Sequence, residues 1–173
     1  MSLQCLDSPT DPVFFLTQQR VQQGIAASRV NDRRRIMLPI QRSEAAPVQR
    51  LLNIMQPGSY VQPHQHPRPQ AIELAHVLQG SICVWIFDDS GAVLESSTCT
   101  AGELESLVDI EPGVWHSFAA LKPDTVILEI KGGPYDKTQD KIFAKWAPRE
   151  TGDPAAEYLN QLLEQASVHT KPS

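Results

Sequence analysis

The sequence has few cysteines, few histidines and no strong excess of either charge. Its three cysteines, at positions 5, 83 and 99, are odd in number and form no CxxC pair, so we expect no disulfide framework. The net charge of −5 gives no support for binding to nucleic acid or to an anionic membrane. The one basic cluster, RVNDRRR (29–35), is local, and we interpret it as a solvated segment or a set of salt-bridge partners.

Long apolar runs are also missing. The first residues, MSLQCLDSPTDPVFF, lack the basic start and apolar stretch of a signal peptide, and no segment approaches the length of a membrane span. These features and the unpaired cysteines predict a cytoplasmic protein with no membrane partner. Hydrophobic residues make up 41% of the chain and charged residues 20%, which is typical of a globular protein. A chain of 173 residues is most simply one domain with its own core.

The middle of the chain contains short runs rich in β-branched and aromatic residues. Five such runs are separated by turn signals of glycine, proline, aspartate and serine: 72–78, 81–87, 92–99, 114–121 and 125–131. Short strands at this spacing, with no helical pattern between them, predict an antiparallel sandwich or barrel. The 14 prolines agree with this interpretation because turns and strand ends accommodate proline.

Helical patterns occur only towards the two ends. Residues 17–29 predict a short helix capped by Thr17, and the Asp153-Pro154 pair predicts the start of a second, amphipathic helix. We therefore divide the chain into three parts, which are an N-terminal extension with a short helix packed on the barrel (1–35), the barrel (36–148), and a C-terminal helix and tail (149–173).

Two of the five histidines lie one residue apart in the stretch PHQHP (63–67). Residues two apart in a strand point to the same side, so His64 and His66 can direct both imidazoles at one point. Glu73 begins the next predicted strand, where a carboxylate facing a barrel interior is costly unless it is paired or bound to a metal. His116 follows a Pro-Gly turn and starts another strand. An HxH pair alone favours loop or surface histidines, but in this context the four residues predict a metal site.

The alternation of side-chain direction along a strand also suggests which residues lie beside this site. Tyr60 shares a face with the histidine pair if the strand is regular, and it is a candidate catalytic residue. Glu129 lies on the strand face opposite Val126, Leu128 and Ile130. It therefore faces either the cavity, where it could act as a base or hydrogen-bond acceptor, or water. His76 is three residues from Glu73 and should point to the opposite face, as an ordinary histidine of the sheet, unless a bulge intervenes.

The stretch 58–80 resembles the first motif of the cupins, which is glycine, five residues, HxH, three or four residues, glutamate, six residues and glycine. Gly58 and Gly80 stand at the expected spacings, but six residues rather than three or four separate His66 from Glu73. Gln70 lies where a shorter loop would place the acid, so it is the alternative ligand. The stretch EPGVWHS resembles the second cupin motif. It lacks the residue that usually separates the proline from the glycine and the asparagine that usually follows later.

Several segments together narrow the resemblance: SYVQPHQHP, FDDSGAVL, IEPGVWHSFAAL, LEIKGGPYD and KIFAKWAP. They are similar to the WbuC-type cupin metalloproteins, a bacterial group often linked to polysaccharide (O-antigen) gene clusters. The resemblance covers about residues 33 to 148. It implies a double-stranded β-helix, the cupin jelly-roll barrel, that holds one divalent metal ion (iron, manganese, nickel or zinc). The analogy to cupins also implies a homodimer, and it leaves the reaction open.

Four protein ligands would leave one or two open positions on the metal. The first hypothesis is therefore a metal-dependent enzyme acting on a small polar, carbohydrate-related substrate such as a sugar or sugar nucleotide, by isomerisation, epimerisation or oxygen-dependent chemistry. The second is a non-catalytic or regulatory cupin that binds metal or sugar. The third is a metal-free cupin resembling sugar epimerases, with a histidine as the base.

Overall fold

The protein is represented by a computed structural model that describes residues 4–150 and 152–169, so residues 170–173 of the predicted tail lie outside it. These ranges contain two helices, α1 (Gln18–Val30) and α2 (Asp153–His169). The strands are β1 (Arg35–Pro39), β2 (Val48–Met55), β3 (His64–Gln65), β4 (Glu73–Gln79), β5 (Ser81–Phe87), β6 (Val93–Thr100), β7 (Leu107–Ile110), β8 (Trp115–Ala120), β9 (Thr125–Gly132) and β10 (Ile142–Phe143). No helix in the described part of the chain is long and apolar enough to cross a membrane.

The strands form two antiparallel sheets of five strands each, with the orders β1-β2-β9-β4-β7 and β10-β3-β8-β5-β6. Strands that come early in the chain pair with late ones, β2 with β9 and β3 with β8. Strands β4 and β5 pair with the other edges of β9 and β8, respectively. Two sheets nested in this way are a jelly roll. The predicted all-β barrel with short terminal helices is confirmed.

The helices cover the outer faces of the two sheets. Helix α1 begins after Thr17, whose hydroxyl accepts a hydrogen bond from the Arg20 amide at 3.3 Å, as predicted for its cap. Its residue Ile25 packs on an outer cluster that includes Leu52 of β2 and Val126 of β9. Helix α2 packs in the same manner on the outer face of the sheet that contains β5 and β8.

The inner face of β4 and β9 changes from apolar to polar along the strands. Val77 lies beside Ile127 in the apolar core between the sheets, whereas Glu73, at the start of β4, lies opposite Lys131 of β9. Glu129 stands between Ile127 and Lys131 on the same face, because alternate residues of a strand share a side. The interior of the barrel is therefore apolar at one end and charged at the end where β4 begins.

Candidate metal centre

Both sheets contribute to a cluster of three histidines and one glutamate. His64 in β3 lies directly opposite His116 in β8, and His66 follows one residue after β3. Glu73 comes from β4 of the other sheet. All four side chains are at most 3% exposed, and their candidate ligand atoms all lie within 4.8 Å of one another. The structure thus brings together the four residues that the sequence predicts as ligands.

Main-chain carbonyl groups fix the orientation of the three imidazole rings. The Nδ1 atom of His64 lies 2.9 Å from the Gln62 carbonyl oxygen, and that of His116 lies 2.9 Å from the Val114 carbonyl oxygen. The Nδ1 atom of His66 lies 2.5 Å from the carbonyl oxygen of Asp140. A carbonyl oxygen only accepts hydrogen bonds, so each neutral ring carries its proton on Nδ1 and presents a bare lone pair on Nε2.

The Nε2 atoms of His66 and His116 lie against a carboxylate that cannot donate to them. Glu73 Oε2 is 2.7 Å from Nε2 of His66 and 3.1 Å from Nε2 of His116. The Nε2 atom of His64 is buried and has no hydrogen-bond partner among the residues that the structure describes. A cation between them would satisfy lone pairs that converge in this way, and a divalent metal ion would supply that charge. The donor set therefore fits the metal that the cupin resemblance implies.

The protonation states suit metal binding as well. Burial lowers the pKa of His64 well below its ordinary value, which keeps the ring neutral. For Glu73, burial by itself would raise the pKa, but the close contacts with His116 and His66 and the charge of Lys141 outweigh it and hold the pKa of this carboxyl well below its ordinary value. A neutral imidazole and an ionised carboxylate are the forms that coordinate a metal.

Charged and polar groups surround the cluster on the inner face of the barrel. Asn53 of β2 donates a hydrogen bond from Nδ2 to Oε1 of Glu129 at 2.8 Å. Burial, and secondarily the charge of Glu73, raises the pKa of Glu129. Glu129 therefore faces the cavity, which is one of the two orientations that strand parity allowed. Lys131 forms an ion pair with the carboxylate of Asp140.

Two of the other candidates are not brought to the cluster. Tyr60 packs below α2, where its ring centroid is 6.0 Å from that of Tyr158 and its hydroxyl donates to the Pro148 carbonyl at 3.0 Å. The predicted catalytic position of Tyr60 is wrong because residues 59–63 form no regular strand, so the side alternation does not continue into β3. The alternative ligand Gln70 is exposed in a turn, and Glu73 is the acidic residue of the cluster.

His76 lies on the other face of β4 from Glu73, as its three-residue offset predicts. It is half-buried, while its neighbours Ala75 and Val77 belong to the inner core. The regular pairing of β4 with β7 and β9 over Glu73–Val77 preserves the alternation. His76 therefore stands apart from the metal cluster.

Sequence reasoning missed the contribution of residues 140–144. Asp140 holds His66, Ile142 and Phe143 pair with β3, and the Phe143 ring centroid is 6.1 Å from that of His64. The only available signal was the motif KIFAKWAP, which carries the family resemblance without showing what it contacts.

Comparisons with known proteins bear on part of the chain. A family model described as "Domain of unknown function (DUF6016)" matches residues 16–99, a range that includes three of the four cluster residues. No curated protein matches the chain by sequence.

Among solved structures, the chain is similar to oxalate decarboxylase from Bacillus subtilis at pH 4.6, with a TM-score of 0.46 and 21% identity over 57% of this chain and 24% of that chain. Another structure of the Bacillus enzyme concerns its Mn(II) centres. The formate complex of oxalate decarboxylase from Lactobacillus farciminis has a TM-score of 0.45 and 18% identity over 75% of this chain and 33% of that chain. The chain thus spans a third or less of the length of these enzymes.

Proposed function

We propose that the protein is a cupin metalloenzyme that binds one divalent transition metal ion through His64, His66, Glu73 and His116. The observation that carries the proposal is the convergence of three Nε2 lone pairs and one carboxylate oxygen in a buried cluster, with no donor for Nε2 of His64 among the described residues. Structural alternatives such as a solvated histidine loop do not account for burial of all four side chains.

The histidine-rich ligand set suits iron, nickel or zinc, and the carboxylate extends the range to manganese. When bound, such an ion acts as a Lewis acid on a substrate carbonyl or hydroxyl group, or binds dioxygen if it is ferrous. The choice among these metals depends on availability in the cell as well as on the ligands.

In this proposal Glu129 is the residue that takes up or delivers a proton. Its Oε1 atom is held by Asn53, and no described residue forms a hydrogen bond with Oε2, which leaves that oxygen to serve a bound substrate. A buried carboxyl group with a raised pKa is a suitable general acid or base.

The WbuC-type resemblance supports a carbohydrate-related substrate, such as a sugar or sugar nucleotide, for this centre. We further propose a cytoplasmic homodimer, since cupins commonly pair through edge strands and thereby cover exposed sheet edges. Isomerisation or epimerisation fits the arrangement because, in its metal-dependent form, it uses a Lewis acid and a group that moves a proton.

The decisive experiment is a metal analysis of protein purified without a histidine tag. We expect near-stoichiometric iron, manganese, nickel or zinc in the wild-type protein and its loss in the His64→Ala/His116→Ala double variant, with His76→Asn as the matched histidine control that keeps the metal. Circular dichroism and thermal unfolding would show that the double variant is folded. A wild-type protein that holds no metal and takes up none on reconstitution would overturn the proposal and favour a metal-free site.

A further inference from the structure

Two of the candidate metal ligands belong to a row of side chains that crosses one whole sheet. The strand registers place five residues directly opposite one another in turn: Phe143 of β10, His64 of β3, His116 of β8, Ile86 of β5 and Glu95 of β6. Residues that are directly opposite in an antiparallel pair point to the same face of the sheet. Since the two histidines point into the barrel, the side chain of Phe143 also lies on the inner face, at the edge of the sheet.

The Phe143 ring lies beside the cluster and is still open to solvent. Its centroid is 6.1 Å from that of His64, and the two ring planes are inclined by 53°. His64 is fully buried, whereas Phe143 is 47% exposed. An inward-facing ring that is half exposed means that solvent reaches the inner face at this edge, next to a buried residue of the cluster.

A half-exposed apolar residue is not unusual in itself, and the face on which it lies is what matters. The neighbouring residue Ile142 is 45% exposed, but it stands opposite Gln65, which alternates with His64 and therefore lies on the outer face. Ile142 is thus an ordinary surface residue. Phe143 instead presents its exposed area on the face that carries the candidate metal ligands.

Contacts on both sides of Phe143 fix the position of its ring. On one side the carbonyl oxygen of Asp140 lies 2.5 Å from Nδ1 of His66, and on the other the amide of Ala144 donates to the Pro63 carbonyl at 2.8 Å. The segment that carries the ring is therefore tied to the segment that carries the histidine pair. A ring held in this way needs little reordering when a ligand packs on it.

A fixed aromatic ring beside a polar centre suits a particular kind of ligand. Its exposed face offers apolar area and the negative side of its π system, and both favour contact with C–H groups. A pyranose ring combines hydroxyl groups, which can reach a metal, with a flat face of C–H groups. An open-chain polyol has the hydroxyl groups but no such fixed face.

We propose that Phe143 is the platform on which the ring of a cyclic substrate, such as a pyranose, packs while an oxygen of that substrate lies at the metal. The proposal rests on the metal site proposed above and narrows its substrate class from small polar molecules to those with a six-membered ring. Phe143 thus selects the closed ring over the open chain and takes no part in moving a proton.

The test uses the full chain loaded with Co(II) and two probes that share one metal-binding group. Acetohydroxamate carries only a methyl group, and cyclohexanecarbohydroxamate carries a saturated six-membered ring in its place. Binding is measured by the change in the visible Co(II) absorption, and the Co(II) content of each sample is determined in parallel. Phe143→Leu removes the aromatic face but stays apolar, and Phe143→Tyr keeps that face. Ile142→Ala, in the same strand but on the outer face, is the matched control.

We expect the wild-type protein to bind cyclohexanecarbohydroxamate at least tenfold more tightly than acetohydroxamate. In Phe143→Leu this ratio should fall at least threefold while the affinity for acetohydroxamate stays the same. Phe143→Tyr and Ile142→Ala should keep the ratio within twofold of wild type. A wild-type ratio near one overturns the proposal, and so does a Phe143→Leu protein that keeps the ratio or weakens both probes equally, since a purely structural role would affect both.

The remaining outcomes separate this proposal from the metal site. A Co(II)-loaded protein that binds neither probe has no open position for them at the metal, which overturns the proposal about Phe143 and leaves metal binding intact. Failure of the wild type to take up Co(II) overturns the metal site itself, and the proposal about Phe143 with it.

Discussion

The ring of His66 is held by the main chain of Asp140, whose carbonyl oxygen lies 2.5 Å from Nδ1 although the two residues are 74 positions apart. The carboxylate of the same aspartate pairs with Lys131 of β9, in the other sheet. Asp140 therefore positions a candidate metal ligand through its backbone and is itself anchored through its side chain. This arrangement couples the geometry of the metal cluster to a salt bridge between the sheets.

Replacing Asp140 by asparagine should weaken metal binding without removing a ligand. The substitution preserves the backbone carbonyl but takes the negative charge from Lys131, whose side chain is only 14% exposed. Loss of a partner that orients a metal-bound histidine typically costs tenfold to a hundredfold in metal affinity, and we expect about tenfold. Competition with a chromophoric chelator measures the change, and Asp136→Asn in the same segment is the control. Equal affinities for Asp140→Asn and wild type would refute the coupling.

Glu129→Gln should stabilise the metal-free protein at neutral pH. The pKa of Glu129 is raised by burial and by Glu73, so its ionisation costs stability as the pH rises from the unfolded value, about 4.3, through the higher folded value. The glutamine can still accept the hydrogen bond from Asn53 and carries no charge.

Chemical unfolding between pH 4 and 8 measures this effect. The advantage of Glu129→Gln in free energy of unfolding should be small near pH 4 and should grow as the pH rises. Glu95→Gln, at an exposed carboxylate of β6, controls for the exchange of a carboxylate for an amide. An advantage that does not change with pH would show that the Glu129 carboxyl is not destabilised by its surroundings.

Local patterns in the sequence were sufficient to predict several of the strands and the four candidate metal ligands. The run 81–87 coincides with β5, the run 72–78 is shifted by one residue from β4, and the run 125–131 is one residue shorter than β9. Side alternation holds wherever the strand is regular, which is why Glu129 and His76 lie on faces that parity allowed. Glu73 was predicted from its place at the start of a strand and from its six-residue spacing to Gly80, although its spacing from His66 left Gln70 as the alternative.

The remaining features depend on contacts that no local pattern carries. Tyr60 was misplaced because the irregular segment before β3 interrupts the alternation. Strand β7 has only four residues, and β2 carries the polar residues Gln49 and Asn53 on its inner face, so neither shows a clear apolar run. Asp140 lies in a charged stretch that resembles a solvated loop, and only the folded chain brings its carbonyl oxygen to His66.

Gly132→Ala should destabilise the loop that leads to Glu73. A Cβ atom at Gly132 would lie 1.6 Å from the carbonyl oxygen of Gln70 and 2.7 Å from its carbonyl carbon, so backbone must move. Such overpacking typically costs 1–3 kcal/mol, and we expect about 2 kcal/mol in free energy of unfolding together with weaker metal binding. Gly102→Ala meets no atom within 4 Å and tests backbone strain alone, since its φ is +82°. A Gly132→Ala protein as stable as wild type would contradict this packing.

A buried arginine joins the start of the barrel to the segment before α2. The Arg35 side chain, 6% exposed, donates to Oε1 of Glu150 at 2.7 Å and to the Tyr60 carbonyl oxygen at 2.8 Å. Arg33 lies 3.2 Å from the other carboxylate oxygen of Glu150. Burial by itself would raise the pKa of Glu150, but the charges of Arg35 and Arg33 outweigh it and leave that pKa lowered.

Glu150→Gln should therefore cost stability in a pH-dependent manner. The variant leaves the Arg35 charge buried without a counter-ion, and we expect a loss of about 2 kcal/mol at pH 7, less than for a fully buried pair because the Glu150 side chain is 21% exposed. Since the folded pKa is lowered, this stabilisation is present above the unfolded value of about 4.3 and disappears as the pH falls through the folded value. Urea unfolding of wild type and Glu150→Gln should thus converge on acidification, with Glu157→Gln, at an exposed carboxylate of α2, as control. A loss that persists unchanged at low pH would mean that the glutamate acts through packing and not through its charge.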